Sequence, residues 1–141
     1  MQDSKIAFFT EDIDFKLSNE SVVAEWIENC IASEGKKAGN LTFVFCSDEY
    51  LLPINIQYLN HDTFTDIITF NYVEENTISG DIFISVDRVK ENAEKLKATF
   101  KQELCRVIIH GVLHLIGYND KTPEEAHQIR AREDFYLTLC P

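Results

Sequence analysis

Basic residues are scarce in this chain: Lys and Arg total 13 against 24 Asp and Glu, a formal net charge of −11. A surface this acidic repels bulk nucleic acid and anionic membrane alike. This counts against indiscriminate RNA or DNA binding, and no DNA partner is expected; a local cationic groove could still hold RNA. The four cysteines, Cys30, Cys46, Cys105 and Cys140, form no C-x-x-C pair, and each stands among apolar neighbours. They are expected to be core thiols. The first five residues lack the basic and apolar regions of a secretory signal. No apolar run reaches the ~20 residues that a membrane span requires. A cytoplasmic location with no membrane partner is the expectation. Repeats, linkers and low-complexity segments are also missing.

What is present has the proportions of one globular domain over residues 1–141, with 45% apolar residues. The pattern predicts an α+β fold, a small mixed sheet of about four strands packed with about five helices. Ile6–Phe9 reads as a strand, with Asp14–Leu17 as a further short one. Ser18 or Asn19 should cap a helix whose stripe is Val22, Val23, Trp26, Ile27 and Ile31, stopped by Gly35. Lys36–Gly39 reads as a turn and Leu41–Cys46 as a buried strand. Ser47 and Asp48 open a helix to about Tyr58, which Pro53 should break or kink. Asp66–Tyr72 and Gly80–Val86 read as an antiparallel pair joined by a turn over Glu74–Ser79. The rest is helical. One helix is capped by Asp87, one runs from about Lys101 to Ile116, and a last one starts at the capping box Thr122-Pro123-Glu124-Glu125.

The informative stretch is His110-Gly111-Val112-Leu113-His114-Leu115-Ile116-Gly117-Tyr118-Asn119-Asp120. Four residues of α-helix turn the chain by about 400°, so His110 and His114 project from one face, a turn apart. Gly117 can end that helix and reverse the chain, swinging Asp120 back toward the two rings. Two histidines and one carboxylate leave a position open for water, as catalytic zinc sites do. Helical histidines four apart also arise by chance. Here, however, they are embedded among Val107, Ile108, Ile109, Val112, Leu113, Leu115 and Ile116. Unpaired imidazoles in such a helix carry a desolvation cost on the order of a few kcal/mol, which a metal offsets. His127, on the following helix, competes with Asp120 as third ligand, and Asp120 is favoured because the turn aims it. Trp26 and the phenylalanines are read as core.

The same stretch closely resembles the signature of the YbeY family of bacterial ribosomal-RNA maturation endoribonucleases, H-G-x-L-H-L-x-G-Y-D-H. His110, Gly111, Leu113, His114, Leu115, Gly117 and Tyr118 match it. Asn55-Ile56-Gln57-Tyr58, Asp62, Thr65-Asp66-Ile67-Ile68-Thr69-Phe70 and Gly80-Asp81-Ile82-Phe83-Ile84-Ser85 look like that family's middle motifs, in its order. There are two departures. Asp120 stands where the family has its third histidine, with Asn119 before it, and Leu59 stands where it has an arginine. Arg106, Arg130 and Arg132 are the nearest guesses for a substitute cation.

The resemblance implies a zincin-like metal helix holding one Zn²⁺ in a cleft. It also implies single-strand-specific cleavage of ribosomal RNA, with the small ribosomal subunit or its assembly factors as partners. His61 and Asp66 are candidate catalytic assistants, Tyr118 a residue that packs or orients a ligand, and Asp81 a strand-edge residue. Lys97, Lys101 and Arg106 are candidate RNA contacts. Two rival readings stand beside this one. A metallopeptidase shares the histidine spacing but needs a glutamate where this chain has Gly111. A ribosome-assembly binding module with little catalysis would suit the acidic surface and Leu59.

Overall fold

The computed structural model describes residues 5–141; the first four residues, part of the segment that lacks secretory-signal features, lie outside the described ones. The elements run β1 (Ile6–Glu11), α1 (Glu20–Ser33), β2 (Lys37–Cys46), α2 (Asp48–Leu59), β3 (Ile67–Asn71), β4 (Thr77–Ser85), α3 (Val86–Leu96), α4 (Phe100–Ile116) and α5 (Pro123–Leu137). The sheet order is β1-β2-β4-β3. Its first two pairings are parallel and β3 lies antiparallel on β4 at one edge. A single small α+β domain with a four-stranded mixed sheet and five helices results.

Alternation along the strands decides what each sheet face carries. Leu41, Phe43 and Phe45 of β2 join Ile78, Ile82 and Ile84 of β4 in the main core, against Ile27 and Ile31 of α1 and Ile108, Val112 and Leu115 of α4. On the opposite face Cys46 and Ile68 pack on Leu51 of α2, with Phe70 and Phe83 alongside. The apolar run of α4 is thereby explained. The helix lies in the middle of the core, and its C-terminal turn emerges beside β3.

Several local expectations need correction. Residues 14–17 form no strand; Phe15 and Leu17 simply pack their side chains on the core. The expected turn at Lys36–Gly39 is already β2, because Lys37 and Ala38 pair with Thr77 and Ile78 before a register shift. For the same reason β4 starts at Thr77, inside the expected turn. Asn19 occupies the N-cap of α1 at φ 58 without a side-chain cap bond. α3 is capped by Ser85, whose Oγ accepts from the Arg88 amide. Asp87 instead accepts from the Asp48 amide, which ties α2 to α3. Pro53 lies inside α2 without ending it. Its ring is exposed, and the Ser47 cap and the Asn55 Nδ2 to Thr63 carbonyl bond hold the helix at both ends.

Gly80 marks a close approach. A Cβ there would lie 2.4 Å from the Phe70 carbonyl oxygen and 3.1 Å from Leu115 Cδ1, so strand or helix must give way. Gly80→Ala is expected to destabilise the fold by about 1–3 kcal/mol, read as a lower urea midpoint at unchanged slope.

All four cysteines are free, three of them buried and Cys140 partly so. Burial pushes Cys30, Cys46 and Cys105 up to about 12. Iodoacetamide at mildly alkaline pH should therefore label native protein at Cys140 alone. All four of the thiols should react after unfolding, and mass spectrometry would separate the two patterns.

Candidate metal centre

The site starts with α4. Thr99 and Gln102 form a complete capping box at its start, so the helix phase is set from the first turn. At its other end Gly117 takes φ 128, and the Tyr118 amide donates back to the Leu113 carbonyl at 3.0 Å. That closure is the chain reversal expected of Gly117. Tyr118 then donates its hydroxyl to Glu34 Oε1 at 2.7 Å, and Tyr136 donates to the other Glu34 oxygen. The loop after α4 is thus pinned to the C-terminal end of α1.

The loop delivers Asp120 to the histidines. His110 Nε2 and His114 Nε2 are 3.0 Å apart. Asp120 Oδ2 lies 3.5 Å from the first and 3.4 Å from the second. Among the described residues these three form the group able to offer a metal one donor atom each, all within 4.8 Å. The donor set fits a small divalent ion. Ligands at 2.0–2.1 Å around a tetrahedral centre must stand roughly 3.3 Å apart, close to the three separations observed. Two imidazole nitrogens at 3.0 Å, with an acid beside them, would otherwise share very few protons. His127 is exposed on α5 and lines the same cavity, but is no part of the three-donor group.

The other nitrogen of His110 has a partner the sequence reading missed. Nδ1 lies 2.5 Å from Glu133 Oε2, and Glu133 Oε1 accepts from Arg106 Nη1 at 2.8 Å. Glu133 is buried on α5, in line with Ile129 and Tyr136. An acid at the middle of an i, i+4, i+7 apolar stripe was a legible sign of a buried partner. Burial tends to lower the pKa of His110, but the Glu133 hydrogen bond and charge, with Asp120 and Asp66 beyond, raise it overall. Burial acts to raise Glu133, and the bonds from His110 and Arg106 outweigh it and hold the carboxyl below its usual range. The pair orients the His110 ring so that Nε2 faces Asp120.

A cavity of about 600 Å³ opens over this site, lined by His110, Asp120, Asp66, Glu103, Arg130 and Glu133 among others. Asp66 lies there half-buried, and burial pushes its carboxyl up against the opposing pull of His110. His61 is exposed in the preceding loop and is not part of the lining. Lys97 is exposed at the end of α3, and Lys101 borders a neighbouring cavity. Arg106 is committed to Glu133 and Asp134, each at 2.8 Å. Asp81 stands on β4 outside the cavity lining. Trp26 is core, donating to the Tyr136 carbonyl at 3.0 Å.

Fold and site together define a small α+β domain that carries a histidine–carboxylate centre at the end of its central helix. The comparisons with known proteins narrow that class. A family model for endoribonuclease YbeY matches residues 5–140. A protein named endoribonuclease YbeY from Amoebophilus asiaticus is 48% identical over 138 residues, 97% of this chain and 94% of that one. Another of the same name, from Flavobacterium johnsoniae, is 48% identical over 131 residues, 93% of this chain and 94% of its own. The solution structure of TM1509 from Thermotoga maritima superposes with a TM-score of 0.67 at 26% identity, covering 94% of this chain and 86% of that one. The chain belongs to the endoribonuclease YbeY family. Among the described residues, no helix is long and apolar enough to cross a membrane.

Proposed function

We propose that this chain is a zinc-dependent endoribonuclease that hydrolyses single-stranded ribosomal RNA in the cytoplasm, in maturation and quality control of the small ribosomal subunit. The observation that carries the reading is the convergence of His110, His114 and Asp120, with mutual separations of 3.0, 3.4 and 3.5 Å, two of them, His110 and Asp120, lining an open cavity. These three side chains would hold one zinc ion. When bound, it supplies a Lewis acid that offsets the charge growing on the phosphoryl group. Glu133 fixes the His110 ring, Glu34 and Tyr118 hold the loop that carries Asp120, and Asp66 takes the proton of the attacking water on a carboxylate oxygen. Asp66 suits that task better than His61 because it shares the cavity with the donors.

The peptidase reading lacks its base. The backbone at Gly111 faces Ile67 and Ile82, where even a Cβ would come within 2.7 Å of Ile67 Cδ1. The binding-module reading has one observation in its favour. Leu59, at the end of α2, is exposed and offers no charge to a phosphate.

A single set of assays discriminates. Zinc-loaded protein should cut an unstructured ribosomal-RNA fragment, spare a duplex and leave unstructured peptide intact. Asp66→Asn should slow RNA cleavage by about 10²–10⁴-fold with zinc content unchanged. RNA that is bound at low salt but never cut would hand the function to the binding module.

A further inference from the structure

An RNA strand near an acidic chain must be met by cations that are not already neutralised, and few basic residues around this site qualify. The Arg106 guanidinium is shared between Glu133 and Asp134. Arg132 leans on Glu34, 3.8 Å away, beside Tyr118. Arg88 is held by Asp48 and Glu91. Unlike Arg106 and Arg88, Arg130 is loosely paired, and unlike the equally loosely paired Arg132 it lines the cavity over the site. Its side chain is 60% exposed, and its ion pair, with Glu133, is long at 3.9 Å.

Position adds to availability. Arg130 lines the cavity that contains His110 and Asp120, and also a second cavity of about 670 Å³ between α4, α5 and the end of α3. Glu103, Arg106 and Arg130 are common to both, so the two form one trench with Arg130 at the junction. Beyond the junction stands Lys101, exposed and without an ion pair among the described residues. Glu103 is the acid in the dividing wall. Burial, and then the nearby Asp66, push its carboxyl up, which weakens its opposition to an anion.

We infer that Arg130 and Lys101 form a phosphate subsite that grips the RNA backbone next to the bond being cut, leading the strand from the metal centre into the second cavity. This rests on the endoribonuclease reading given above. Arginine suits the junction because its planar fork can bind two oxygens of one phosphate. Lysine suits the outer end, where a mobile point charge need only follow the strand.

The test measures RNA binding apart from cleavage. An end-labelled unstructured RNA is titrated with zinc-loaded wild type, Arg130→Ala, Arg130→Lys, Lys101→Ala, the double alanine variant, and Lys36→Ala as a distant control. Arg130→Ala should bind roughly tenfold more weakly. Its plot of log affinity against log salt should flatten by ~0.7, and that of the double variant by ~1.4, the slope expected per phosphate contact on a single strand. Arg130→Lys should keep the wild-type slope, and Lys36→Ala should match wild type throughout. Zinc content and thermal midpoint should be unaltered, and cleavage should show a raised KM with little change in kcat. Wild-type affinity and slope in the double variant, with wild type binding and cutting RNA, would overturn the subsite alone. A wild type that binds through Arg130 and Lys101 without cutting would keep the subsite and remove the nuclease reading. A wild type that binds no RNA would remove both.

Discussion

Replacing His114 with alanine is expected to abolish metal binding and to lower RNA cleavage by roughly 10³-fold or more, since both the anchoring of the ion and its charge are lost. Asp120→Ala should do the same. The two variants probe different links. His114 comes from the helix, and its position follows from α-helical geometry four residues after His110. Asp120 reaches the site only because Gly117 turns the chain and Glu34 holds Tyr118. Loss in both variants, read by elemental analysis of purified protein, would establish a three-donor site. Its drop in affinity should exceed the 10–100-fold that partners behind the ligands command. One zinc retained per chain in both variants would sink the metal assignment and with it the proposed chemistry. Neither change should unfold the protein, because both side chains are partly exposed to solvent.

How much of this was legible in the sequence follows from how local each determinant is. The His110–His114 pair depends on one helix and its period, and was readable outright. So was the stop at Gly117, since a glycine just past an apolar helix carries a defined backbone role. Strand ends were harder. Lys37 and Thr77 become strand only because they pair with each other's segments, about forty residues apart, and nothing in either stretch alone announces that partner. The cap of α3 was misassigned by two residues because both Ser85 and Asp87 are competent caps. The choice was made by Asp48, which takes Arg88 and the Ser85 hydroxyl from another helix. Among the site residues, Glu133 and Glu34 were missed for a related reason. Their function lies in contacts across 23 and 84 positions, and a carboxylate in a helix reads as surface until its stripe is inspected. The arginines illustrate the same limit from the other side. Sequence proposed Arg106, Arg130 and Arg132 as equals, and only the tertiary structure separates them: Arg106 is tightly paired, and of the two loosely paired ones Arg130 alone lines the cavity.

Glu133→Ala should be the change outside the three donors most damaging to stability and zinc affinity, and for two separable reasons. Glu133 is 4% exposed and receives both Arg106 and His110. Removing it leaves the Arg106 guanidinium in a partly buried site with Asp134 as its remaining partner. Loss of one member of a buried pair typically costs about 3–5 kcal/mol. Arg106 retains some solvent and a second acid, so the lower end is expected, as a fall in thermal midpoint. The second consequence concerns the metal. Without an acceptor at Nδ1 the His110 ring is free to rotate or to take the other tautomer, and zinc affinity should fall roughly 10–100-fold. Glu133→Gln separates the two. Its amide oxygen can still accept from Nδ1, so ring orientation survives while the negative charge is lost. Zinc affinity in the glutamine variant should therefore lie between wild type and alanine, measured by competition with a chromophoric chelator. Arg106→Ala supplies the complement: stability should drop, but zinc should stay bound, because Glu133 still faces His110. Wild-type zinc affinity in a folded Glu133→Ala protein would show that His110 needs no partner behind it, and the short Nδ1 contact would then be packing alone.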